Sequence, residues 1–191
     1  MQKLGLASLA FFYCDFREDQ KKDPHGLLSS LLVQLCHQSD SYYNVLSNLY
    51  MEHNSGSRQP SDNRLLSCLE EILKLPRHGP IYLIMDALDE CPITPSMRSP
   101  RDKVLTLVRK LIDSQIPNLR ICITSQLETD IKAVLDSLTF RSTSLHNEGG
   151  QMEDIENYIR LVVNTDSMMR RWHTADKQLA IEVLTNKADG M

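Results

Sequence analysis

Ile81-Tyr82-Leu83-Ile84-Met85-Asp86-Ala87-Leu88-Asp89-Glu90 is an apolar run of five residues that closes on three acids. With Gly79-Pro80 in front of it, the run predicts a strand buried on both faces, as in a parallel sheet. The acids fall where such a strand runs out. A sheet interior does not tolerate unpaired charge, so they are expected at the rim, paired, solvated or holding a cation. In open α/β sheets, ligands bind at that rim. Two readings follow. The stretch is a Walker B strand, which sets a carboxylate on the magnesium of a nucleotide, or a buried strand whose acids cap the next loop.

Outward from this strand the chain alternates. Leu9 to Asp15 is aromatic-rich and predicts a strand. Leu27, Leu28, Leu31, Leu32 and Leu35 recur at helical spacing and predict a helix over residues 25–39. A second helix is expected from Ser41 to His53, then a polar loop over 54–63. Ser61 or Asp62 caps a third helix whose buried side carries Leu65, Leu66, Leu69, Ile72 and Leu73. Ser99-Pro100 starts another, running to about Ser114. Leu119 to Ser125 predicts a strand, Glu128 to Leu138 a helix, and Phe140 to Leu145 a further strand. Strands alternating with helices imply an α/β fold with a parallel sheet and right-handed crossovers. Beyond Gly149-Gly150 only helices are expected, at 151–165 and 174–188, with Thr174 as a cap. The chain is therefore divided into an α/β core, 1–148, and the start of a helical extension, 149–191. Asp15, Asp86, Thr124 and Ser125 fall at strand ends on one edge of one sheet.

Composition removes several function classes. The 191 residues are 41% hydrophobic with a net charge of −4, enough apolar material for a core and without the basic face of a nucleic-acid binder. No apolar run approaches the roughly 20 residues of a membrane span, and no leader pattern is evident, so a cytoplasmic protein is expected. The five cysteines contain no C-x-x-C. Cys14 and Cys122 fall in strand-like runs, Cys36 and Cys68 in helical ones, and buried reduced thiols are the expectation. Leu4 to Phe16 enters strand material without a lead-in, and the chain stops just after Gly190. Both observations suit a piece of a longer protein.

Four segments in order carry a family likeness. They are Phe11-Phe12-Tyr13-Cys14-Asp15-Phe16-Arg17, the helix Leu27 to Leu35, Asp86-Ala87-Leu88-Asp89-Glu90-Cys91, and Arg120 to Ser125 followed by Glu128 to Ile131. Together they resemble a NACHT-type P-loop NTPase, closest to the nephrocystin-like group found in large fungal receptor-like proteins of the STAND class. The likeness covers about residues 8–165. It implies ATP or GTP with Mg²⁺ as cofactors of the intact parent, Asp86 on the metal, and Glu90, or Asp89 beside it, orienting or deprotonating the attacking water. It also implies Thr124, Ser125 and Gln126 near the γ-phosphate. Structural readings stand beside these: Asp89 as a loop cap, Thr124 and Ser125 as partners of strand-end backbone. Asp15 and Arg17 are expected to form a local surface pair, His25 a solvent-facing cap, and Trp172 an anchor between helices.

The likeness is incomplete. A P-loop, G-x-x-x-x-G-K-[ST], cradles phosphates with backbone N–H groups and a lysine. None of the nine lysines here precedes Ser or Thr. Where the family usually has arginine after Thr-Ser, this chain has Gln126, which brings no charge. In the family's strand order, 2-3-4-1-5, the chain supplies 2, 3, 4 and 5 but not 1. The expected function is thus part of a nucleotide-dependent switch in a receptor-like signalling protein, unable by itself to hydrolyse ATP. Its partners would be further copies or neighbouring domains, with no nucleic acid and no membrane. Two alternatives are a non-catalytic interaction module on the same scaffold and a metal-dependent nuclease or phosphotransfer enzyme built on Asp86, Asp89 and Glu90.

Overall fold

The computed structural model describes residues 7–18, 21–76, 79–94, 99–138, 141–143 and 151–188. The chain divides into two compact units, residues 1–139 and 140–191. The first unit holds strands β1 (Ser8–Tyr13), β2 (Ile81–Asp86) and β3 (Leu119–Ile123). Its helices are α1 (Pro24–Cys36), α2 (Asp40–Glu52), α3 (Asp62–Leu73), α4 (Pro100–Asp113) and α5 (Thr129–Leu135). The second holds α6 (Gln151–Thr165) and α7 (Thr174–Ala188). The strand expected at 140–145 lies mostly outside the described residues, and residues 141–143 carry no regular structure.

The sheet is parallel throughout, in the order β1-β2-β3. Chain order equals spatial order, so the acidic strand is central and flanked by the strands that precede and follow it. Register fixes which side chains share a face. Ala10, Leu83 and Ile121 stand abreast, as do Phe12, Met85 and Ile123. These point into a single core with Leu27, Leu28, Leu31, Leu32 and Leu35 of α1, Leu69 and Ile72 of α3, and Val104 and Val108 of α4. Each fully buried leucine of this kind contributes roughly 1.5–3 kcal/mol by leaving water.

The opposite face departs from expectation. Phe11 is 42% exposed, Tyr13 55% and Tyr82 40%, and Cys122 beside Ile84 is exposed as well. The strand 81–86 is therefore packed on one face, with burial alternating along it. The reason is that the core-forming helices gather their apolar stripes against one side of the sheet. Alternation of Tyr82 with Ile81 and Leu83 was the available signal. The thiol of Cys122 follows from the same geometry and is not buried.

The outer edge of β1 is closed in an uncommon way, by α1 and the turn that follows it. Gln34 Oε1 accepts the N–H of Phe11 at 3.1 Å, and its Nε2 donates to the Phe11 carbonyl at 2.7 Å. One helical turn later, Gln38 treats Leu9 alike, at 3.0 Å and 2.6 Å. Each carboxamide thus supplies the acceptor and donor that a residue of a further strand would supply. Left open, that edge would invite pairing with another chain.

Helix starts follow local chemistry. Asp23 caps α1 by accepting from Gly26 N at 2.8 Å, and Ser61, rather than Asp62, caps α3. His25 is no cap: its Nδ1 lies 3.0 Å from Asp62 Oδ1, tying the start of α1 to that of α3. Ser99 and Asp102 form a reciprocal capping box on α4. In the second unit, Trp172 is 45% exposed, so it is not a buried anchor between helices.

Replacing Gln34 or Gln38 with leucine leaves backbone groups of β1 without partners. Each change should cost about 1–2 kcal/mol in urea unfolding, and the double change should increase self-association by sedimentation. An unchanged midpoint in both single variants would show that water replaces the carboxamides without loss.

Candidate functional site

The three parallel strands end together, and the acidic turn is built on their ends. Cys14 N donates to the Asp86 carbonyl and Thr124 N to the Met85 carbonyl, both at 3.0 Å, so β2 is flanked to its last residue. The chain then reverses through Ala87, whose φ of 54° and ψ of 51° are left-handed. That conformation costs a non-glycine residue roughly 1–2 kcal/mol. Three bonds from one residue hold it. Thr124 Oγ1 accepts from Ala87 N at 3.0 Å, the Thr124 carbonyl accepts from Leu88 N at 3.0 Å, and the Thr124 hydroxyl donates to Asp86 Oδ1. Leu88, fully buried, pins the following 3₁₀ turn, Leu88–Glu90, to the core.

The other named residues divide by what they touch. Asp89 Oδ1 accepts the backbone N–H of Gln126 at 2.9 Å, which ties the loop after β2 to the loop after β3. Gln126 enters through its backbone, and its side chain, like that of Ser125, is exposed. Among the described residues the Glu90 carboxylate accepts no hydrogen bond, and the Arg17 guanidinium is its electrostatic neighbour. Asp15 is engaged by Arg17, through the side chain at 2.9 Å and through the backbone N–H, which together lower its pKa to about 2. It is the local surface pair that the sequence suggests.

Sequence reasoning missed Arg101. Only 5% exposed, it donates from Nε to the Cys91 carbonyl at 2.9 Å and from Nη2 to the Asp89 carbonyl. Its Nη1 lies 3.2 Å from the Asp130 carboxylate of α5. One buried cation therefore knits the acidic turn, α4 and α5. The signal was available: Arg101, Val104, Leu105 and Val108 lie at i, i+3, i+4 and i+7, on the buried stripe of α4. A cation in a first helical turn also opposes the helix dipole, so a local carboxylate or carbonyl partner was to be expected.

Cys14 and Cys91 meet below the turn with their sulfurs 3.5 Å apart, both buried. The hydrogen bond between them and burial push the Cys14 thiol up. The same bond, helped by the Arg101 guanidinium, moves Cys91 down despite its burial.

The donor set can be tested against a metal. Among the described residues, no three His, Cys, Asp or Glu side chains converge. Asp86 has one oxygen on the Thr124 hydroxyl and the other without a hydrogen bond among the described residues. Magnesium typically takes one or two carboxylates and completes its shell with water and substrate phosphates. Asp86 fits an ion that arrives with its own phosphate ligands, whereas a cage made of protein alone is not present among these residues.

Comparison with family models gives one match, to the family described as Nephrocystin 3, N-terminal, over residues 1–126. Comparison with curated proteins returns no match.

Thr124→Val removes the hydroxyl shared by Asp86 and Ala87 and should cost about 1–2 kcal/mol in urea unfolding, while Thr124→Ser should recover most of it. Arg101→Met leaves two carbonyls and Asp130 without their cation, for a loss of about 2–4 kcal/mol. Asp130→Asn, at a carboxylate that is partly exposed, should cost no more than about 1 kcal/mol. Arg101→Met unfolding at the wild-type midpoint would remove the guanidinium from this account.

Proposed function

The chain belongs to the nephrocystin 3 N-terminal family, and from that premise we propose that its acidic strand edge is the magnesium side of a nucleotide site. The site would serve a nucleotide-dependent switch in a receptor-like signalling protein of the NACHT and STAND type. The observation that carries this reading is the joint placement of Asp86, Thr124 and Glu90 on one carboxyl edge of a parallel sheet. Asp86, central and braced by Thr124, would hold Mg²⁺ brought by ATP or GTP. The metal would neutralise charge on the phosphates. Glu90, whose carboxylate is uncommitted, is the better placed of the two acids to orient a water. Asp89 would act mainly by fixing the Gln126 backbone, leaving Thr124, Ser125 and Gln126 to line the phosphate end.

The phosphate cradle is not encoded in these 191 residues, since no lysine precedes Ser or Thr. Hydrolysis by this chain alone is therefore not expected. A second reading, an interaction module on the same scaffold, draws support from the open sheet face with Phe11, Tyr13 and Tyr82. Further copies or neighbouring domains are the partners proposed under either reading. Nucleic acid is not, because an acidic chain lacks the needed phosphate-binding face. Nor is a membrane: among the described residues no helix is long and apolar enough to cross one. A cytoplasmic location belongs to the same proposal. A nuclease built on Asp86, Asp89 and Glu90 is less well supported, because among the described residues no three acidic, histidine or cysteine side chains converge to hold a metal.

Titration of the chain with ATP and Mg²⁺ should show binding no tighter than about 1 mM, or about −4 kcal/mol. Whatever magnesium-dependent binding is seen should fall in Asp86→Ala and persist in Glu90→Gln, since a water-orienting group acts mainly in the transition state. Equal loss in both variants, or micromolar binding without metal, would overturn the assignment of roles.

A further inference from the structure

The buried pair beneath the acidic turn is not used by the proposed site. Cys14 and Cys91 are 77 residues apart in sequence, yet their sulfurs stand 3.5 Å apart. The backbones that carry them are fixed independently. Cys14 N is bonded to the Asp86 carbonyl at 3.0 Å, and Cys91 is held through its carbonyl by Arg101 at 2.9 Å. A disulfide brings sulfurs to about 2.05 Å. Thiols already in contact leave that closure to their side chains, with the strands in place. Glu90 and Pro92 on either side of Cys91 are half-buried, so the segment that carries this thiol reaches solvent within one residue of it.

We propose that Cys14 and Cys91 form a reversible disulfide on exposure to a hydroperoxide, covalently joining the end of β1 to the acidic turn. In the first step one sulfur, as thiolate, attacks the peroxide O–O bond. It becomes a sulfenic acid, and the leaving oxygen departs as water after taking up a proton. In the second, the other sulfur attacks the sulfenic sulfur, forming the S–S bond, and the sulfenic hydroxyl leaves with the second thiol proton as another water. Two thiols and one hydrogen peroxide thus give one disulfide and two waters. An added dithiol reverses the bond by exchange. The consequence is mechanical: the turn carrying Asp89 and Glu90 gains a tether across the strand edge. The inference rests on the thiol geometry and holds whether or not the edge binds a nucleotide.

The intact chain tests it directly. Trypsin places Cys14 in peptide 4–17 and Cys91 in peptide 78–98, each with a single cysteine. Folded protein is treated with hydrogen peroxide, unfolded in an alkylating agent, digested and analysed by mass spectrometry. The expected result is a fall from five alkylatable thiols to three, with a monomeric species linking 4–17 to 78–98 that dithiothreitol abolishes. Cys14→Ser and Cys91→Ser should each lose the linked species, and because the wild-type chain gives the primary result, neither variant's folding decides it. Three outcomes would overturn the proposal. Cys14 and Cys91 stay reduced while the exposed Cys122 is oxidised, Cys91 passes to a sulfinic acid with Cys14 still free, or the linked species forms only after unfolding.

Discussion

Parallel pairing of β2 on both sides is the constraint from which the rest of this structure follows. Parallel strands leave the sheet at one edge, so the residues after β1, β2 and β3 are brought together however far apart they lie in sequence. The pairing also leaves a problem at the end of the central strand. The chain must turn sharply while its neighbours still occupy both sides, and Ala87 does this in a left-handed conformation. Thr124 offsets the cost with a carbonyl, a hydroxyl that accepts, and the same hydroxyl donating to Asp86. A small residue at 87 and a hydroxyl at 124 are two halves of one requirement.

Among the described residues the sheet has three parallel strands and so two edges, which are treated differently. The β1 edge is finished by Gln34, on the helix whose leucines fill the core, and by Gln38 in the turn just after that helix. Helix α1 therefore does two jobs from two faces, one apolar and one that imitates a strand. The outer edge of β3 has no strand paired to it, and the face with Phe11, Tyr13 and Tyr82 has no helix packed over it among the described residues. The three aromatic residues make this the apolar side of the sheet that the helices leave open.

Much of this was legible in the sequence because its signals are local. Leucines at helical spacing, Ser99-Pro100 and the Gly79-Pro80 break gave α1, α4 and β2 to within a few residues. The parallel sheet followed from alternation of strands and helices. What escaped depends on which elements meet. Ile81 to Met85 reads as apolar on both faces, and the one hint that Tyr82 and its neighbours face outward, the alternation of Tyr82 with Ile81 and Leu83, is weak until the helices are placed. Gln34 and Gln38 look like ordinary surface residues until β1 is set against them, whereas Arg101 could have been picked out by its place on the apolar stripe of α4. His25 reads as a cap because its partner, Asp62, is 37 residues away. Asp89 had two readings from sequence, and its bond to a backbone N–H of another loop, 37 residues on, was not visible there.

The acidic turn shows how a cluster of like charges is made compatible with a folded edge. Asp86 is neutralised in part by a hydroxyl, Asp89 by a backbone N–H, and the carbonyls of Asp89 and Cys91 by the buried Arg101. Each bond fixes a piece of backbone, and together they leave one acid, Glu90, with no hydrogen bond to its carboxylate among the described residues. Arg17, whose ion pair is with Asp15, reaches Glu90 only as a longer-range charge that solvent screens. The arrangement separates residues whose side chains are spent on backbone from Glu90, whose own backbone N–H is fixed on the Ala87 carbonyl at 2.9 Å, and under the proposed reading that is the disposition a water-orienting acid would use.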